Sequence, residues 1–140
     1  MKFICDAPDG KAWFRIETEF EAQQESALMQ HAVEKYFRRE REKAAHSYQP
    51  SPATSYIERD IGLGDHIQRE MPLFLTLRDA EGTGLATAML PPGGRFTDGF
   101  PTIIVGQANR DPYPSEGEAI AALGKQFGLK LDRRSCFPYA

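Results

Sequence analysis

Among the side chains able to do chemistry, Cys136 has the most suggestive neighbours. It follows Arg133-Arg134-Ser135, and guanidinium groups close to a thiol lower its pKa and raise its thiolate fraction. Cys136 is therefore the candidate reactive or redox-sensitive thiol. A catalytic cysteine also needs a histidine base that the fold places against it. Phosphatase-type chemistry would need an amide cradle and an arginine after the cysteine, and only Phe137 to Ala140 follow. The plain alternative is a free thiol on a short C-terminal segment. Cys5, alternating with Phe3 on an expected strand, reads as buried and inert.

The three histidines do not make a site by spacing. His31 lies beside the apolar stripe of the first helix, His46 at that helix's end, and His66 within Gly64-Asp65-His66. His66 and Glu70 would be neighbours on a helix, but two ligands fall short of the three or four that zinc takes. No metal and no cofactor is expected. The glycines do not cradle a phosphate either. Gly82-Thr83-Gly84 sits between two strand-like runs, without the following helix and third glycine that give such a loop its meaning.

Two regions are candidate binding surfaces. Lys35, Arg39 and Lys43 recur at i, i+4 and i+8 and line up on one side of a helix, with Glu34, Arg38 and Glu42 beside them. From Glu34 to Lys43 there are five basic and three acidic residues, a local excess of +2. Such a run is ordinarily a solvated helix end stiffened by i,i+4 pairs. Its sharper reading is a docking surface for an acidic partner or for a second copy of the helix. The second region is the loop around Arg95, Phe96 and Phe100, which offers a cation and two aromatics on glycine-rich backbone. Loops held by a rigid sheet often carry binding; the alternative is that both rings fold back over the sheet edge.

The elements that must position these groups are legible in outline. Phe3-Ile4-Cys5, the turn signal Pro8-Asp9-Gly10 and the run Ala12 to Glu17 predict a hairpin. Thr18 and Glu21 fit a capping box, and Leu28, Met29, Ala32, Val33, Tyr36 and Phe37 draw one helical stripe. One helix from Thr18 to about Ala45 would be about 40 Å long, with its last turns projecting beyond the core. Residues 47–55, with Pro50 and Pro52, predict a loop, and Ser55 to Ile61 a further strand. Leu73, Leu75 and Leu77 alternate with Phe74, Thr76 and Arg78, as in a half-buried strand, which a turn joins to Leu85–Leu90. Residues 91–101 predict a loop, and Thr102 to Val105 a strand. Ser115 with Glu118 and the later Gly128 bracket a short second helix. Leu129 to Leu131 predict a last strand, and 133–140 a tail. The expected fold is one α+β domain over 1–140: a mostly antiparallel sheet of five to six strands, with one long and one short helix on one face.

Composition bounds the rest. The chain has 140 residues, 41% hydrophobic and 26% charged, with a net charge of −3. These values fit a single folded domain without metal or disulfide staples. The acidic balance opposes non-specific nucleic-acid binding, leaving the basic helix end as its only route. Met1-Lys2-Phe3-Ile4-Cys5-Asp6 lacks a signal's apolar region, and no run approaches the ~20 apolar residues that span a bilayer. A cytoplasmic location with two free thiols and no membrane contact is expected. No catalytic motif stands out, so the expectation leans away from an enzyme. It favours a binding or regulatory module acting through protein contacts, as a homodimer or with another protein. The alternative is a small enzyme or small-molecule-binding domain with a cleft by the Arg95–Phe100 loop, drawing on Arg95, His66 and Cys136.

Overall fold

The computed structural model describes residues 1–136 and 138. Five strands pair as an antiparallel meander in the order β1 (Lys2–Ala7), β2 (Lys11–Arg15), β3 (Leu73–Arg78), β4 (Gly84–Leu90) and β5 (Ile103–Val105). The Pro8-Asp9-Gly10 turn closes the first hairpin, with Asp9 and Gly10 at φ 64° and 72°. Left-handed backbone is what glycine and aspartate tolerate and most residues do not.

Four helices accompany the sheet: α1 (Glu19–Met29), α2 (Val33–His46), α3 (Tyr56–Glu70) and α4 (Tyr113–Phe127). The α+β expectation holds, but the one-long, one-short arrangement on one face does not. Both faces of the sheet are covered. Leu73, Leu75, Leu77 and Ile104 pack with Trp13 against Ile120 and Leu123 of α4. Their strand neighbours Phe74, Met89 and Ile103 belong to a second cluster with Phe37 of α2 and Ile67 of α3. Successive strand side chains point to opposite faces, so the leucine alternation in β3 was a choice between two apolar layers. Five of its six residues are buried.

The long helix is broken. Thr18 and Glu21 form the expected capping box, but Gln30 is left-handed at φ 54° and its N–H closes α1 onto the Ser26 carbonyl. Ser26 Oγ then accepts the backbone N–H of Glu34, 3.0 Å away, in the first turn of α2. The break lets Met29 and Phe37 both reach the sheet layer, where each is essentially inaccessible. Nor does α2 project: Ala44, two residues from its end, is buried in the second cluster.

Two other elements differ from expectation. Ser55 to Ile61 is no strand but the start of α3, capped by Ser55 and Glu58 in a reciprocal box. Gly62 lies within that helix against the Tyr48 hydroxyl, which a Cβ there would push aside. Leu129–Leu131 forms no strand; Leu131 instead packs into the α4-side cluster. At α4 the Ser115–Glu118 box does not form, Pro112 being the N-cap, while Gly128 is the left-handed C-cap expected. Among the described residues no helix is long and apolar enough to cross a membrane.

Candidate functional site

A buried polar chain lies under α1. Glu25 has no solvent exposure. Its Oε1 accepts from Arg78 Nη2 at 2.7 Å and its Oε2 from the Thr87 hydroxyl at 2.6 Å. Arg78 Nε also donates to Thr76 Oγ1 at 3.0 Å. The ladder shifts register between Leu77 and Arg78, where Arg78 faces Gly84. Gly84 in turn lets α1 come close, since a Cβ there would meet Met29 Sδ at 2.7 Å.

His31 continues the chain, with Nε2 3.0 Å from Thr87 Oγ1. The single Thr87 proton is committed to Glu25, so the hydroxyl oxygen accepts and His31 Nε2–H donates. Burial pushes the His31 pKa below its ordinary 6.5, opposed by the Glu25 carboxylate and the residue's own backbone carbonyl. The ring is therefore neutral near pH 7. Among the described residues every buried side-chain polar atom has a partner, so this chain is a completed network. Such networks specify one packing when satisfied and are costly when broken.

His31 and Thr87 also line a cavity of about 380 Å³ between the α1–α2 junction and strands β4 and β5. Its other walls include Val33, Tyr36, Phe74, Met89 and Ile103. They are predominantly apolar, and none of the lining residues is an aspartate, glutamate, lysine or arginine.

A second feature lies on the surface of α3. Tyr56, Ile57 and Ile61 are 84%, 74% and 62% exposed. Ile57 and Ile61 stand one turn apart, and Gly64 follows with open space where a Cβ would project. Leu63 and Ile67, on the opposite side, pack into the second cluster. The helix is thus apolar on two faces, and only one is covered.

The residues singled out by spacing are not brought together. Lys35, Arg39 and Lys43 are exposed on α2. Arg39 and Lys43 flank Glu40 at 3.6 and 3.7 Å, and Arg39 lies over the Tyr36 ring, 4.9 Å from its centre. Arg38 pairs across to Glu19 of α1, and Glu34 and Glu42 of its own helix add their charge to its surroundings. Phe96 is 80% exposed and Arg95 is exposed, whereas Phe100 folds back against the second cluster. His66 Nε2 lies 2.7 Å from Ser47 Oγ, tying α3 to the end of α2. Cys136 is buried in the α4-side cluster, not in the cluster that α2 and α3 cover.

The expected activation of Cys136 is reversed. Arg133 and Arg134 are exposed, and Arg133 pairs with Asp111 at 3.0 Å. Burial pushes the Cys136 thiol up, and its hydrogen bond with Tyr113 only partly opposes this. Cys5 is raised as well, by burial and by Asp6, and neither cysteine is bridged. Among the described residues no group of three or more histidine, cysteine or acidic side chains could hold a metal.

No protein-family model, curated protein or solved structure matches the chain. Sequence reasoning missed the Glu25–Thr87–His31 chain because its members come from α1, β4 and the α1–α2 junction, at unrelated spacings. It missed the α3 face for a correctable reason: Ser55-Tyr56-Ile57-Glu58 carries the capping-box pattern.

Proposed function

We propose that this protein is a cytoplasmic binding module that works through protein contacts, and that the outward face of α3 seats a second copy of the chain. The observation that carries the reading is the pair Ile57 and Ile61, two large apolar side chains left in water one turn apart on the same face of α3. Scattered exposed apolar residues are ordinary, but contiguous ones mark interaction sites. Ile57, Ile61 and Gly64 have the i, i+4, i+7 spacing along which one helix packs on another.

Charge supports self-association. Helix α2 carries five basic and three acidic side chains, and α3 two and four, giving net charges of +2 and −2. The two helices pack side by side. A two-fold arrangement centred on α3 sets each acidic helix near the partner's basic α2, where Lys35, Arg39 and Lys43 lie exposed. An interface of this isologous type repeats each contact twice.

Sedimentation equilibrium from low micromolar to sub-millimolar concentration tests the proposal. A dimer is expected in the native chain, with Ile57→Asp/Ile61→Asp monomeric and still folded by circular dichroism. A Lys35→Glu/Arg39→Glu/Lys43→Glu variant should dimerise at least about tenfold more weakly. A native chain that stays monomeric throughout, or a dimer indifferent to the α3 substitutions, overturns it.

A further inference from the structure

We propose that the cavity between the α1–α2 junction and strands β4 and β5 binds a small, uncharged, predominantly apolar molecule. This site is separate from the α3 face, and the inference does not depend on dimerisation.

The volume fits such a ligand. At about 380 Å³, the cavity falls in the lower part of the roughly 300–1,000 Å³ typical of small-molecule sites. The walls define the chemistry. Phe74, Met89, Ile103 and Val105 supply apolar surface, and Met89 adds an unbranched thioether that adapts to shape. With no lysine or arginine in the lining, an anionic group has no countercharge to meet. The one carboxylate nearby, Glu25, stands behind Thr87 and already holds Arg78 and the Thr87 hydroxyl. A cationic group would find it occupied. Either kind of charge would lose part of its hydration without replacement, which is costly.

The His31–Thr87 part of the wall is fixed rather than adaptable. His31 is held by Thr87, Thr87 by Glu25, and Glu25 by Arg78, so the imidazole meets a ligand in one orientation. A preorganised polar group beside an apolar pocket orients a ligand without side-chain ordering on binding. The left-handed Gln30 holds this geometry open, because it turns the chain between α1 and α2 and places His31 over β4.

Titration with N-phenyl-1-naphthylamine, an uncharged apolar fluorophore, tests the site, with the anionic dye 8-anilinonaphthalene-1-sulfonate as its charged counterpart. Saturable one-to-one binding of the neutral dye is expected, at least about tenfold tighter than the anionic one. Two substitutions fill the cavity from different sides, Val105→Phe from β5 and Ala32→Trp from the α1–α2 junction. Either, if folded by circular dichroism, should weaken the neutral dye by at least about tenfold. The Ile57→Asp/Ile61→Asp variant should bind it unchanged, which separates the cavity from the α3 face. Non-saturable binding, equal affinity for both dyes, indifference to the filling substitutions, or loss in the α3 variant would each overturn the proposal.

Discussion

Glu25 shows how one side chain can set the chemistry of a region without touching solvent. Its two oxygens are taken by Arg78 and Thr87. Removing one partner of a buried ion pair leaves the other uncompensated and costs about 3–5 kcal/mol. Arg78 keeps 17% of its side chain in solvent, so Glu25→Ala should lose less than that in urea unfolding, about 2–3 kcal/mol, and adding Arg78→Met should restore a good part of it. A double variant no more stable than Glu25→Ala would show that packing, not charge, carries the loss. His31 gives a pH signature. Its folded pKa lies below the ordinary 6.5 because burial disfavours the charged ring, so below that pH the unfolded chain binds the extra proton first. Stability from this residue is present above about 6.5 and is lost as pH falls toward the folded pKa. His31→Gln should flatten that part of the stability profile, read by urea midpoints between neutral and mildly acidic pH. At Cys136 burial raises the thiol pKa, so iodoacetamide should label it slowly in the native state and quickly once urea unfolds the chain.

At the scale of elements, helix ends and glycines carry the specific information. Helix α3 begins at a capping box between Ser55 and Glu58, with Ser55 Oγ accepting from the Glu58 N–H at 3.2 Å. Ser55→Ala should cost about 1 kcal/mol by chemical denaturation. Gly124 runs the other way from its usual preference. Alanine in place of a mid-helix glycine ordinarily stabilises by about 1 kcal/mol, yet a Cβ here would stand 2.7 Å from the Leu129 carbonyl oxygen. That oxygen belongs to backbone turning back past the left-handed Gly128, so the clash cannot be relieved by a rotamer change. Gly124→Ala should lower the unfolding midpoint; a gain would mean that the 128–131 turn is free to move.

For the whole molecule, the sheet is the shared wall of two apolar layers, with α4 on one side and α2 and α3 on the other. Trp13 is sealed in the α4-side layer, its Nε1 donating to the Ala119 carbonyl at 2.8 Å. Phe37 and Phe74 meet edge to face in the other, ring centres 5.4 Å apart. Because β3 contributes to both layers, loss of either should expose the other. Trp13 fluorescence and helical circular dichroism are therefore expected to report one coincident urea transition. Two separated transitions would mean that the layers are independent.

The local rules were enough for much of this. Alternating leucines at 73, 75 and 77 place β3, Thr18-x-x-Glu21 starts α1, Pro8-Asp9-Gly10 turns the first hairpin, and Gly128 ends α4. Each depends on neighbours within a few residues, where backbone geometry and hydrogen-bonding demand act directly. The sequence also contained α3, through Ser55 and Glu58, although Gly62 and Gly64 have low helix propensity. Other features had no local sign. Gln30 is neither glycine nor proline, and it turns left-handed because burying Met29, Phe37 and the Glu25 carboxylate against one sheet outweighs the strain of a single residue. The pairing of Glu25 with Thr87, 62 positions away, and the shielding of Cys136 from its own arginines follow from the same cause. Periodicity tells which side chains must leave water, but only the packed layers decide which polar groups go in with them.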